Sequence, residues 1–385
     1  GNASTGVYVK DNSNYNVYYN IFLNDQGAGG ISGEGGLITL NSGIFILSAA
    51  GVNEAIGMIN KGAGGIADNR GVIDFRAGTG NIGMYGSSTD NIQNNNQILI
   101  GESASTSTAV GMYGEAANNV LNYADITIGK AAIGMYGKNV TDGISGVDNY
   151  ANITSTATNA IGMYGENSGV KNAGTVAMSL AGVGIYGKNS IIENTGTIIT
   201  GDTIKTGLAE ETAVGIYATG TSDVRNVSNI NTGWSSVGIF GENGTIINDG
   251  TITAGESSIY MFTYGAGGNI INNSLLNLTD RSIGIYATAG TAVNSNTGVI
   301  NVGKSDIMSD PREFAVGMAT ETGTVINRGT INVDKEYGVG MFAGKKDANT
   351  GKAYNEGTIN VTGKNAYGIQ VNEEAQAYNS GIINV

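Results

Sequence analysis

The chain of 385 residues contains no cysteine and no histidine, one proline (Pro311) and one tryptophan (Trp234). Without cysteine, disulfides, thiol nucleophiles and thiolate metal sites are excluded. Without histidine, the commonest general base and the commonest metal ligand are missing. Only 13% of residues are charged and the net charge is −13. The 19 lysines and arginines are too scattered for a basic patch, which argues against nucleic-acid binding and against attachment to an anionic membrane. No apolar run reaches the roughly 18 residues of a transmembrane helix. The start at Gly1 has no signal-peptide pattern, so the expectation is a piece of something longer. A single proline with no Gly-X-Y period excludes collagen.

What the chain has in abundance is glycine, 63 residues, within an apolar content of 40% that is too high for a disordered polymer. The glycines recur in a hexapeptide of the form [A/S/G]-[I/V]-G-[M/I]-[Y/F]-[G/A]. Examples are "AVGMYG" from Ala109, "AIGMYG" from Ala132 and Ala160, and "SVGIFG" from Ser236. Its third position falls at Gly57, Gly83, Gly111, Gly134, Gly162, Gly184, Gly215, Gly238, Tyr260, Gly284, Gly317, Gly340 and Gly368. Two residues later stands an aromatic, except at Ile59, Ala319 and Gln370. An Asn follows in every unit, usually opening a phrase such as "NDGTITA" at Asn248 or "NRGTINV" at Asn327.

Both phrases alternate with period two, the signature of strands, and neither is long enough for a helix. By that alternation Ile133 and Met135 share one face of the hexapeptide, and Ala132, Gly134 and Tyr136 the other. Val176 and Met178 likewise share a face opposite Thr175 and Ala177. The period is too short for a propeller blade and lacks the leucine pattern of leucine-rich repeats. The expected fold is all-β: a right-handed parallel β-helix with about 13 recognisable coils of 22–33 residues, spanning 52–385. Residues 1–51 read as degenerate N-terminal coils or a partial cap. Ile, Val and Met are expected inside and the aromatic against the surface. The repeated Asn is expected to stack amide on amide and to supply left-handed backbone at a corner. The last unit ends at Val385 without a polar cap, so the repeat is expected to continue in the native protein.

Function is expected where the repeat is broken. Insertions lengthen the segment after Asn94, Asn194 and Asn294, and two more lie at 138–146 and 344–352. The 303–314 insertion carries the proline and mixed charge, and offers Asp306, Asp310, Arg312 and Glu313 as binding candidates. Trp234 is either a platform for stacking on a sugar or a surface aromatic packed beside the Val237 strand. Tyr260, Phe262 and Tyr264 form an aromatic patch, open to a ligand-contact or a core-packing reading. No catalytic residues, metal site or cofactor are expected. Without histidine nothing marks a nucleophile–base pair, and the carboxylate pairs Glu210–Glu211 and Glu373–Glu374 would point apart in a strand.

The alternation of the hexapeptide with the Asn phrase resembles the passenger domains of bacterial type V autotransporters, especially fusobacterial outer-membrane adhesins. The resemblance covers roughly residues 52–385. It implies a right-handed β-helix exported to the cell surface through an outer-membrane β-barrel that this chain lacks. It also implies a non-catalytic adhesin that binds a protein or glycan of host cells or other bacteria, acting as a monomer. The alternative is a β-helical polysaccharide lyase or glycoside hydrolase, which requires Asp/Glu and Lys/Arg clustered on neighbouring coils.

Overall fold

The computed structural model describes residues 4–10, 13–140, 146–206, 209–306, 314–344, 350–372 and 374–385. Short β-branched and aromatic runs separated by glycine and asparagine become strands, and three strands make one coil. The coil of Gly162 consists of Ile161–Glu166, Gly169–Asn172 and Thr175–Ala177. Within each unit these strands pair in parallel with their counterparts in the next coil. The fold is a right-handed parallel β-helix with no α-helix among the described residues.

The chain divides into two compact units, Gly1–Ile199 and Thr200–Val385. In the first unit the opening strands of the coils are Thr5–Val9, Gly29–Glu34, Ile56–Lys61, Ile82–Ser87, Val110–Glu115, Ile133–Lys138, Ile161–Glu166 and Val183–Lys188. In the second they are Val214–Thr219, Val237–Gly241, Ile259–Thr263, Ile283–Ala287, Val316–Thr320, Val339–Ala343 and Tyr367–Val371. Residues before 52 thus form two coils on the same three-strand plan. Their sequence looks degenerate because Val17 and Leu40 stand where later coils carry the repeated Asn.

Pairing is residue for residue, so each side chain lies over its own kind. Met112 pairs with Met135, Tyr113 with Tyr136 and Gly114 with Gly137. The interior is a column of fully buried Met84, Met112, Met135 and Met163 from the first strands, Ile92, Val120, Val147 and Val170 from the second, and Ile98, Ile126, Ile153 and Val176 from the third. Val176 and Met178 face inward and Thr175 and Ala177 outward, as their alternation implies.

The hexapeptide departs from simple alternation. Gly134 and Met135 both face the interior, while the preceding apolar residue turns outward beside the aromatic. Ile82, Ile161 and Val183 are accordingly only half-buried. Glycine permits the break. A Cβ on Gly134 would lie 2.5 Å from the carbonyl oxygen of Gly162 and 2.4 Å from Ile153. The same approach to the next glycine's carbonyl recurs at Gly57, Gly83 and Gly111, and in the second unit at Gly215, Gly317 and Gly340. The sixth position faces the second strand: a Cβ on Gly137 would meet Val147 at 2.2 Å. Where Ala287 and Ala343 replace that glycine, the residue at the Val147 position is Ala292 and Ala353, whereas Ala218 faces Val224.

The repeated Asn is wholly buried from Asn69 to Asn355, and exposed at the last coil, Asn379. In the first unit Asn69, Asn94, Asn122, Asn149, Asn172 and Asn194 donate in sequence, amide to the next amide oxygen, at 2.7–2.9 Å. Asn226 to Asn379 repeat the ladder in the second unit. The second proton of Asn149 goes to the carbonyl of Ala151 at 2.9 Å. Contrary to expectation, these asparagines do not supply left-handed backbone. That conformation falls at the two corners flanking the first strand, on residues such as Ala131 (φ 53) and Asn139 (φ 54). The oxygen of Asn69 alone in its ladder has no partner, because Leu40 precedes it.

Replacing Asn149 by Ala leaves the amide proton of Asn122 and the amide oxygen of Asn172 unpaired in a buried column. The expected loss is about 1–3 kcal/mol, measured as a lower denaturant midpoint. Leu40→Asn, which gives Asn69 a partner, is expected to lose much less than an unpaired buried amide would.

Candidate functional site

The second and fifth hexapeptide residues share the outward face of the first strands and cover it with an aromatic ladder. In the first unit Tyr113, Tyr136 and Tyr164 stack with centroids 4.7 and 4.6 Å apart. Tyr85 and Tyr186 close the run edge-on at 5.2 and 4.6 Å. Two residues beyond the rings runs a charged row. Lys138 pairs with Glu115 at 3.1 Å and Lys188 with Glu166 at 2.9 Å. The Tyr136 hydroxyl donates to Glu166 at 3.0 Å. Burial, reinforced by Glu115, pushes the Tyr113 phenol up to about 12. Lys188, followed by the Tyr136 hydroxyl, holds the Glu166 carboxyl below its usual range. These carboxylates are engaged with neighbours. Among the described residues no group of three or more Asp or Glu is placed to hold a metal ion.

The three insertions that follow the Asn phrase share one anchoring device, which pattern reading missed. A hydroxyl at the start of each insertion accepts the backbone N–H of the alanine that ends it. The same hydroxyl donates to a carbonyl in the next coil. Ser103 binds Ala109 N at 2.9 Å and Ala131 O at 2.7 Å. Thr203 binds Ala213 N at 3.1 Å and Ser235 O at 2.6 Å. Ser305 binds Ala315 N at 2.8 Å and Tyr337 O at 2.7 Å. The accepting carbonyls belong to residues with positive φ, Ala131, Ser235 and Tyr337. The coil thus closes across the insertion as if the extra residues were absent. The visible signal is a Ser or Thr six to ten residues before the first hexapeptide position.

The second of these insertions folds into an antiparallel hairpin, Ile204–Thr206 with Ala209–Glu211. It brings together two features that the sequence presents separately. Lys205 lies over the Trp234 ring, 4.8 Å from its centroid, and pairs with Glu210 at 3.3 Å. Asp202 accepts the Trp234 backbone N–H at 2.7 Å. Trp234 remains 40% exposed, so the indole is a partly covered platform with a cation on one side.

The remaining sequence candidates separate. Of the two readings of Tyr260 the structure supports core packing and removes ligand contact: its ring is fully buried and cannot meet a ligand. Its hydroxyl donates to Asn277 O at 2.6 Å and accepts from Thr279 N at 3.1 Å. It fills core space above Gly238, whose would-be Cβ faces the Tyr260 carbonyl at 2.5 Å. Phe262 is a rung of the second unit's ladder, 5.2 Å from Phe240 and 5.1 Å from Tyr286. Tyr264 is exposed. Asp306 is half-buried next to the Ser305 anchor. Asp310, Arg312 and Glu313 lie outside the described residues.

Residues 200–337 match the family described as the BigA third pectate lyase-like domain. The matched region contains the hairpin, Trp234 and the Ser305 anchor. No curated protein and no solved structure matches the chain.

Trp234 is the single tryptophan, so intrinsic fluorescence reports the hairpin directly. Lys205→Ala is expected to red-shift the emission and increase quenching by acrylamide while the circular dichroism stays unchanged. Identical emission and quenching would mean that the hairpin does not cover the indole.

Proposed function

We propose that the protein is a non-catalytic segment of a bacterial cell-surface adhesin, displaying its insertions and lateral aromatic face to a protein or glycan on host cells or other bacteria. The carrying observation is the match of residues 200–337 to a β-helical domain of BigA, an autotransporter-like adhesin. The fusobacterial character of the repeat is our reading of the hexapeptide. The words pectate lyase-like describe that domain's architecture in its name and assign no activity to this chain. The geometry supports binding over catalysis because charged side chains on the outward face engage one another across coils. The anchored insertions give binding residues a fixed base on a rigid scaffold, the arrangement in which loops vary without disturbing the fold. Surface location and action as a monomer belong to the same proposal.

Beads coated with the protein are expected to bind epithelial or bacterial cells saturably. Replacing 204–211 by a short Gly-Ser link is expected to reduce binding severalfold without moving the thermal midpoint. Absence of saturable binding to any cell type, or turnover of polygalacturonate or another polysaccharide, would contradict the proposal.

A further inference from the structure

The second unit's ladder runs through Tyr217, Phe240, Phe262 and Tyr286, stops at Ala319, and resumes at Phe342. Neighbouring rings in this run lie 4.6–5.2 Å apart. Tyr286 and Phe342 are two coils apart, roughly 9–10 Å at about 4.8 Å per coil. Between them lies a groove of about 490 Å³. Its floor is Ile283, Val316 and Val339, the outward second hexapeptide residues, and Ala319 supplies only a methyl group at the centre. Phe314, delivered by the third insertion and fixed by the Ser305 anchor one residue later, forms a wall.

We propose that this gap in the ladder is a binding site for one aromatic ring of neutral or positive charge, carried by the partner. The fold itself defines the shape: in the coils before it, an aromatic side chain occupies the equivalent space. The chemistry of the walls favours an aromatic ring over a sugar. A pyranose placed between two rings over three aliphatic side chains would bury any hydroxyl turned toward the floor without a partner. An aromatic ring gains two stacking contacts in addition to burial. The described lining carries no formal charge. At its edge the Glu321 carboxylate holds the Tyr286 hydroxyl, which sets the charge preference: an anionic ring would face that carboxylate. Gln370 and Asn372 line the open side and can receive the polar substituents of an amino-acid ring. A tyrosine or tryptophan side chain of a partner polypeptide has this chemistry. The inference rests on the adhesin reading for the source of the ring and on the ladder for the site.

Binding of N-acetyltyrosinamide, tyrosinamide, N-acetyltyrosine and methyl β-glucopyranoside to the whole protein is followed by proton NMR of the aromatic side chains. N-acetyltyrosinamide and tyrosinamide are expected to bind saturably and shift the Tyr286 and Phe342 ring signals. N-acetyltyrosine is expected to bind severalfold more weakly, and the glucoside not to saturate. Ala319→Tyr restores the rung; it should weaken tyrosinamide binding at least tenfold and raise the thermal midpoint. If that variant does not fold, Phe342→Leu removes one wall without filling the gap and should weaken binding severalfold. No saturable binding of either uncharged-carboxyl ligand overturns the site, as does undiminished binding by a folded Ala319→Tyr protein or a preference for the glucoside. Such a result leaves cell binding by the protein untouched. Failure of cell binding with intact ring binding overturns the adhesin reading and leaves the site standing.

Discussion

In-register stacking of coils is the constraint from which the rest of this structure follows. A side chain whose neighbours above and below are its own counterparts must be self-complementary. An amide is: it donates on one side and accepts on the other, so Asn can be buried six deep in each unit. Aliphatic groups and aromatic rings are, by dispersion and stacking. Glycine is, where the next coil's carbonyl comes within 2.6 Å of the place a Cβ would take. A charge is not, and this accounts for a composition only 13% charged. Where charges do occupy one row, they alternate, Glu115, Lys138, Glu166 and Lys188.

The same constraint explains why so much of the fold is legible from sequence. Positions that must match their neighbours repeat, and a repeat is visible without an alignment. The strand phrases, the buried asparagines, the inward Met and Ile column and the outward aromatics all follow from the periodicity. What periodicity does not show is the direction of a side chain where the strand itself is irregular. Ile133 and Met135 have the spacing of a shared face, yet the turn of the backbone at Gly134 sends them apart. The left-handed corners escape for a related reason. They fall in part on asparagines outside the ladder, Asn139, Asn167 and Asn189, but also on residues as different as Ala131, Glu54 and Arg281, so residue type marks them only in part.

The candidate surface is legible only in part because it lies where the repeat is broken. Sequence marks that residues are inserted but not how the coil closes beneath them. The hydroxyl anchors of Ser103, Thr203 and Ser305 depend on a carbonyl in the following coil, between 28 and 32 residues away. Likewise the hairpin's approach to Trp234 joins segments that are separate in the chain. Tyr260 shows the opposite case: the departure from glycine was open to a ligand-contact or a core-packing reading, and it is an accommodation of the core. Ala319 is the quieter departure, one missing ring, and its meaning emerges only when the rings on either side are seen to continue the ladder. Insertions and omissions in a self-matching scaffold are thus the places where this protein presents chemistry that its neighbours do not cancel.

The central claim, that each residue is selected against its own counterpart, is tested most directly in the charged row. Lys138→Glu sets three carboxylates in register, whereas Lys138→Gln removes the same ion pair without adding a like charge. Denaturant midpoints of the two variants, measured at low and high salt, decide the matter. The account predicts that Lys138→Glu is the less stable, by about 0.2–1 kcal/mol per opposed like pair, and that salt narrows the difference. Equal midpoints at low salt would contradict it.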